Sequence, residues 1–257
     1  MRVLPLDSRL EQLFWDHVNR DVPDYFFFIL DMRKDRASTK IWLAPNNQDR
    51  IDGMMMIYGD RIVQMRGSID AGKHLLGKLG LEKVRIQAPM EHEPLILSKY
   101  RNIKKASEII LMTLPKGEEK LQAKHAAVRL SAGDAGEVAD LMRRASPDWW
   151  GETTEERVAK RIEERLWLGV RVDGKLVSFA GATVEALGSN IAPVVTREGY
   201  RNRGYATSVV SALVEQVLLK SGLLLIHVES ENRPAMRVYT KVGFKPYKRY
   251  FLANAER

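Results

Sequence analysis

The chain has 257 residues, 45% apolar and 29% charged, with a formal net charge of +8 and no cysteine. That length suits one large domain or two of ordinary size, and the composition is that of a globular protein. Without cysteine there are no disulfides, no thiolate metal sites and no cysteine nucleophile. No apolar run approaches membrane-spanning length, and Asp7, Arg9 and Glu11 fall where a signal peptide would be apolar, so a cytoplasmic protein is expected.

Basic and acidic residues are interspersed along both halves. This favours anionic ligands in general and argues against a nucleic-acid surface; no membrane partner is expected. The five histidines, His17, His74, His92, His125 and His227, show no pair at ligand spacing, so no metal is expected.

In chain order, the pattern predicts a helix over Ser8 to Asn19. Strands follow at Tyr25 to Met32, Thr39 to Leu43, Gly53 to Tyr58 and Arg61 to Arg66, then a helix at Gly72 to Leu79 and a strand at Lys83 to Ala88. The polar stretch Leu114 to Lys124, with Pro115 and Gly117, reads as a linker and divides the chain into 1–123 and 124–257. The second half opens with a strand at Ala127 to Leu130 and a helix at Asp134 to Arg144. A loop holding Pro147, Trp149 and Trp150 follows, then a helix at Thr153 to Arg165. Strands at Leu166 to Val172 and Leu176 to Val184 flank the hairpin signal Asp173-Gly174. Then come a strand at Asn190 to Thr196 and a helix from near Arg203 to Lys220, with Gly222 suited to its C′ position. The strand Leu223 to Val228 is apolar apart from His227. A helix at Pro234 to Lys241, ended by Gly243, and a strand at Lys245 to Leu252 complete the chain. Lys83 to Met112 can be laid on Leu223 to Leu252 without a gap, Pro94 on Pro234 and Lys105 on Lys245, as in a repeat.

The most informative stretch is Arg201-Asn202-Arg203-Gly204-Tyr205-Ala206-Thr207, between an apolar strand and a long helix. Backbone N–H groups, guanidinium groups and the positive end of a helix dipole meet there, an arrangement suited to a pyrophosphate. A second signal is Asn232-Arg-Pro-Ala235-Met-Arg-Val-Tyr239-Thr-Lys-Val-Gly243-Phe244, in which Asn232, Ala235, Met236 and Tyr239 share one helix face.

Together these motifs resemble the GNAT superfamily of acyl-CoA-dependent N-acetyltransferases, over about residues 127–252. The first matches that family's Arg/Gln-x-x-Gly-x-Gly/Ala and the second its Asn-x-x-Ala-x-x-x-Tyr-x-x-x-Gly-Phe. The resemblance implies an α/β (α+β) fold, a mixed, mostly antiparallel twisted sheet flanked by helices, occurring as two tandem GNAT-like folds, with acetyl-CoA wedged between strands 190–196 and 223–228. Val194, Val195 and Thr196 would offer backbone groups to the pantetheine arm. Arg201 to Thr207 would cradle the pyrophosphate, Asn232 and Ala235 would lie along the cofactor arm, and Tyr239 would sit near the thioester sulfur. The alternative for Asn232 is a helix N-cap, and for Tyr239 a core aromatic.

Gly67-Ser-Ile-Asp-Ala-Gly72-Lys73-His74 nearly spells a phosphate-binding P-loop but carries His74 where Ser or Thr should hold Mg²⁺. It is read as a degenerate, empty cofactor turn, so the first half is expected to lack a cofactor site.

The chemistry expected is direct attack of an amine on acetyl-CoA. A backbone N–H near Val194 or Val195 would polarise the carbonyl, and Tyr239 would act as general acid. Ser189 and Asn190, where related enzymes place a carboxylate, cannot take a proton. Glu229 and Glu185 are the candidate bases, with a solvated surface carboxylate as the alternative for each. An α-amine acceptor, with a pKa near 8, would need less help than a lysine-type amine near 10.4. Trp149 and Trp150 are expected to line the acceptor site, or to pin the loop onto the first half. The acceptor is an amine of unspecified identity, and the chain is expected to be a monomer or homodimer. The competing reading is a non-catalytic module that holds coenzyme A or binds nucleic acid.

Overall fold

A computed structural model describes residues 1–46 and 50–257. The chain divides into two compact units. The first comprises Met1–Ile110, Glu229–Glu231 and Lys248–Arg257; the second comprises Leu111–Val228 and Asn232–Tyr247.

The first unit holds β1 (Leu4–Pro5), α1 (Glu11–Val18), α2 (Val22–Lys34), β2 (Thr39–Pro45), β3 (Ile51–Tyr58), β4 (Ile62–Gly67), α3 (Ile69–Lys78), β5 (Lys83–Pro89), α4 (Glu93–Lys99) and most of β6 (Asn102–Pro115). Strands β1 to β4 pair antiparallel in sequence order, and β4 runs parallel to β5. The strand alternates as a two-faced sheet requires. Met54 and Met56 pack under α1 and α2 with Phe14, Phe28 and Ile29. Met55 and Ile57 face Leu75, Leu76, Ile86 and Ile96, the α3 and α4 side.

The second unit repeats that order. It holds β7 (Val128–Arg129), α5 (Ala135–Ala145), the short α6 (Pro147–Trp150), α7 (Glu155–Glu164), β8 (Leu166–Val172), β9 (Lys175–Thr183), β10 (Ser189–Thr196), α8 (Tyr205–Leu218), β11 (Leu223–Glu229), α9 (Arg233–Val242) and the start of β12 (Lys245–Glu256). Strands β7 to β10 pair antiparallel, and β10 runs parallel to β11. One face is covered by α5 and α7, whose Val138, Leu141, Met142, Val158 and Ile162 meet Trp167, Phe179 and Val195. The buried face of α8, with Val210, Leu213 and Val217, packs on β8, β9 and β10 outside that cluster, on the other side. Each unit is thus a mixed, mostly antiparallel sheet flanked by helices. Among the described residues no helix is long and apolar enough to cross a membrane.

Four expectations need correction. Tyr25 to Met32 is not a strand but the body of α2. The run Tyr25-Phe26-Phe27-Phe28 has strong β propensity. However, Asp21 caps the helix by accepting the Asp24 N–H at 3.2 Å, Pro23 stands in the first turn, and Tyr25, Phe28, Ile29 and Met32 form one buried stripe. Pro147 to Trp150 is a single helical turn rather than a loop. Gly222 is not the C′ residue of α8, which ends at Leu218 with Leu219 as C-cap, whereas Gly243 closes α9 at φ +114°. The fourth concerns the division at 123/124. Residues Tyr250 to Glu256 pair in antiparallel register with Pro89 to Lys83, which places the end of the chain in the first unit.

Residues 111–123 lie in the second unit for an equally local reason. The stretch read as a linker is a strap along α8 and α9. Lys120 N–H donates to Val242 C=O at 2.8 Å, and Gln122 N–H to Ser211 Oγ at 3.0 Å. The N–H groups of Lys124 and His125 both donate to Ser208 Oγ, at 3.0 and 3.1 Å. A side chain at Gly243 would strike Glu118 C=O, 2.5 Å from its Cβ position. Ser208 and Ser211 are both buried. Losing one acceptor for two donors costs about 1–3 kcal/mol. Ser208→Ala is therefore expected to lower stability by that amount and to speed amide exchange at Lys124 and His125; unchanged exchange there would contradict the strap.

Candidate active site

Two features of the second unit create an opening at one end of its sheet. Parallel pairing between β10 and β11 runs from Ser189↔Leu224 to Ile191↔Ile226 and stops. The β9–β10 ladder has an irregularity between Ile191 and Val194, which turns the rest of β10 along β9. Beyond Ile191, then, β10 offers backbone groups on its β11 side that no ladder uses. Val194 and Thr196 are half-buried there. The Val195 side chain is core, its carbonyl accepts from Ser178 Oγ at 3.0 Å, and Thr196 Oγ1 lies 2.8 Å from Ser178 Oγ.

The turn after β10 leads into α8. Asn202 has φ +62° and Gly204 φ +86°, the left-handed region where only glycine is free of strain. Gly204 is the N-cap of α8 and no side chain caps it. The first backbone bond at that end is Ser208 N–H to Gly204 C=O at 3.0 Å. The N–H groups of Tyr205, Ala206 and Thr207 therefore point out of the helix at the positive end of its dipole, unclaimed by any cap. Arg201, Asn202, Arg203 and Gly204 are exposed; Tyr205, Ala206 and Thr207 are half-buried. A Cβ on Gly204 would find only His125 Nε2, at 3.7 Å. The turn is held from outside: His125 Nε2 lies 3.0 Å from Arg203 C=O, its ring packs on Tyr205 with centroids 4.3 Å apart, and the Arg203 guanidinium lies 5.6 Å from the Tyr200 ring centre.

The first unit has the same strand–turn–helix with opposite chemistry. Ser68 caps α3 by accepting the Ala71 N–H at 3.2 Å and donates its hydroxyl to Asp52 Oδ2 at 2.6 Å. Asp70 stands in the first turn. The helix end is thus already satisfied and flanked by carboxylates, which repel a phosphate. Where β4 and β5 cease to pair, after Gln64↔Gln87, the space on one face is filled by Arg66. Its guanidinium is buried, bonded to Asp24, to Met65 C=O at 2.8 Å, to Gln87 at 2.9 Å and to Gln64 at 3.3 Å, and it lies 4.2 Å from the centre of the Tyr250 ring.

Tyr239, on α9, is buried and meets Phe244 edge-on at 6.1 Å. Burial pushes its phenol well above the ordinary tyrosine range, so it stays protonated at any physiological pH. Asn232 is indeed an N-cap: its Oδ1 accepts the Ala235 N–H at 3.2 Å. Its amide NH₂ is the part left to meet a ligand. Glu229 falls in the first unit, where it pairs with Lys105 at 3.0 Å. Glu185 accepts the Ser189 hydroxyl through its backbone carbonyl at 3.2 Å. Trp150 packs against the core under α5 and α7, and Trp149 is half-buried beside it on α6. Trp150 therefore belongs to the edge of the second unit's own core.

From sequence, Asn190 is set aside because it cannot take a proton; its unbonded amide oxygen at the opening is what the sequence does not show. Asn190 is 8% exposed, and its Oδ1 has no hydrogen-bond partner among the described residues. A buried amide oxygen left unbonded costs about 1–3 kcal/mol and marks a place where a donor belongs. Only the strand register reveals it.

The acetyltransferase (GNAT) family matches residues 136–244, from α5 to the end of α9. This stretch is a GNAT acetyltransferase domain. The match takes in β10, the turn, α8, β11 and the Tyr239 helix together. Solved structures share the fold over the whole chain. A GNAT-family acetyltransferase from Colwellia psychrerythraea has 13% identity and a TM-score of 0.60, covering 100% of both chains. A Drosophila protein has 11% identity and a TM-score of 0.70, covering 98% of each. A tandem GNAT protein from the clavulanic acid biosynthesis pathway has 14% identity and a TM-score of 0.57, with 99% of this chain and 98% of that one covered. At such identities the likeness is one of fold. No curated protein matches this sequence significantly. Among the described residues no cluster of His, Cys, Asp or Glu could hold a metal ion.

Proposed function

We propose that the GNAT domain transfers an acetyl group from acetyl-CoA directly to an amine, with both substrates bound together, and that the first unit binds no cofactor. The observation that carries this reading is the uncapped, glycine-started N-terminus of α8, set beside the place where β10 and β11 part. An N-terminus with free N–H groups suits a diphosphate, and Arg201 and Arg203 add charge beside it. Unladdered backbone of Val194 to Thr196 suits the amide-rich pantetheine arm, and the Asn232 amide and Ala235 flank the same arm. Acetyl-CoA supplies the activated acyl group.

An N–H of Val194 or Val195 polarises the thioester oxygen. Tyr239 holds its proton until the thiolate departs and then hydrogen-bonds or protonates the sulfur. An ordinary thiol is more acidic than a phenol, so proton transfer to sulfur is uphill by itself and is driven by the strongly acidic N–H of the newly acylated nitrogen, which restores the phenol. Tyr239→Phe is expected to lower kcat about 100-fold while acetyl-CoA affinity stays within about twofold. Equal loss of both would reduce Tyr239 to a packing residue. Trp149 and Trp150 border the acceptor side, where an aromatic face holds a cation or an apolar chain.

The reading is tested with a panel of amines, polyamines, amino acids and peptide N-termini, assayed for release of free CoA. Release that depends on one acceptor class supports it. Tight acetyl-CoA binding with no release across the panel would leave a non-catalytic cofactor-binding module instead.

A further inference from the structure

At the opening between β10 and β11, Ser189 and Asn190 cannot take the acceptor's proton, and Glu229 is paired with Lys105. We propose that His227 is the general base of the transferase reaction and that Asn190 Oδ1 receives a hydrogen bond from the same acceptor nitrogen. This rests on the transferase reading above.

The placement follows from register. Val195 pairs with Phe179 and Asn190 with Thr183 on β9, two odd-numbered positions that share the face covered by α5 and α7. Asn190 pairs with Leu225 on β11, so Leu225 and, two residues on, His227 lie on that same face. The burial of β11 agrees. Leu224, Ile226 and Val228, on the α8 side, are all buried, whereas His227 is half-exposed. His227 is also one residue beyond Ile226, the last to pair with β10, and so borders the opening itself. The repeat supports the same orientation. Gln87 is the counterpart of His227 when the two strand–helix–strand tails are overlaid. Its side chain reaches Arg66, which is bonded to Asp24 on α2, so it faces the helix pair preceding the sheet.

Among the other groups on this side, Glu185 lies past the end of β9, in the turn closed by its backbone bonds to Ser189. On β10 the same face carries Asn190 and Val195, neither of which titrates; α5 and α7 turn Val138, Leu141, Met142, Val158 and Ile162 towards the sheet. On β11 the next residue of that face is Glu229, held by Lys105. Imidazole is the side chain whose ordinary titration lies nearest neutral pH, which suits a base.

The protons balance. The acceptor arrives as an ammonium; His227 takes one proton and passes it to solvent. The free amine forms the new C–N bond, the C–S bond breaks with its electron pair leaving on sulfur, and Tyr239 protonates that sulfur. The excess proton on nitrogen returns to the Tyr239 oxygen through water. The sum is ammonium plus thioester giving amide, thiol and one proton.

The test uses the full chain, acetyl-CoA and the fastest amine from the panel. His227→Gln is expected to lower kcat about 100- to 1,000-fold, to leave acetyl-CoA affinity within about twofold of wild type, and to abolish the acidic limb of the pH profile of kcat/KM. Asn190→Ala, which keeps the base, is expected to raise KM for the amine about tenfold and to retain that acidic limb. Wild-type turnover and an unchanged pH profile in His227→Gln would overturn this proposal while leaving the transferase intact. Failure of the wild-type protein to bind acetyl-CoA would instead overturn the transferase reading. If His227→Gln loses acetyl-CoA affinity as much as turnover, His227 is a structural residue and the proposal falls.

Discussion

Gly204→Glu is expected to abolish acetyl-CoA binding with the fold retained. The backbone at Gly204 sits at φ +86°, so any side chain adds strain of about 1–3 kcal/mol. Nothing blocks the side chain itself, since its Cβ would meet only His125 Nε2 at ordinary contact distance. The carboxylate would then occupy the positive end of α8, where it satisfies the free N–H groups as an internal competitor and repels a diphosphate. Charge-assisted hydrogen bonds are worth about 1.5–3 kcal/mol each. Losing two of them raises Kd by roughly 100-fold or more. Calorimetric titration with acetyl-CoA measures this, and a thermal melt lowered by only a few degrees checks the fold. Unchanged affinity would remove the turn from the cofactor site.

The second large effect concerns the buried pair in the first unit. Asp24 and Arg66 are 5% and 2% exposed and bonded to each other; Tyr250 donates to Asp24 Oδ1 at 2.5 Å, and Lys248 reaches Oδ2. Asp24→Asn leaves the guanidinium buried without its counter-charge. Breaking such a pair from one side costs about 3–5 kcal/mol. Adding Arg66→Met is expected to restore part of the loss, because the uncompensated charge is gone. A double variant no better than the single would contradict this. The pair also sets an acid dependence. Burial alone would raise the Asp24 pKa, but the Arg66 charge and the bonds from Lys248 and Tyr250 outweigh it and hold the carboxyl below its ordinary range. A folded pKa below the unfolded one, near 3.9, gives stability that is complete above about pH 5 and fades as pH falls through the folded value. Urea unfolding as a function of pH should therefore show an acid loss that Asp24→Asn flattens.

The contrast between the units explains what could be read from sequence. The turn at 201–207 was legible because its chemistry is local: a strand, glycine at a left-handed position, basic residues and a helix within a few residues of one another. The near P-loop at Gly67 to His74 reads as degenerate from His74 alone; Asp52, sixteen residues from Ser68 and adjacent only once β3 and β4 pair, is invisible to any local pattern. The aromatic run in α2 misled because β propensity reflects packing on a sheet face, and here the same side chains pack under a sheet from a helix. The strap was hidden by its polar composition, although two serines at i, i+3 on the otherwise apolar buried face of α8 were a signal that something donates to them. The pairing of Tyr250 to Glu256 with β5 joins residues some 170 apart in sequence, which no local pattern specifies. Asn190 and His227 share a face only through the register of three strands, and that register is fixed by tertiary packing.

We propose above all that the N-terminus of α8 grips the diphosphate of coenzyme A. Crystals of the full chain soaked with coenzyme A test it directly. Phosphate oxygens are expected within hydrogen-bond distance of the backbone N–H groups of Gly204 to Thr207, with the pantetheine arm running between β10 and β11. Density for the nucleotide at the N-terminus of α3, or none at α8 at saturating concentration, would contradict it.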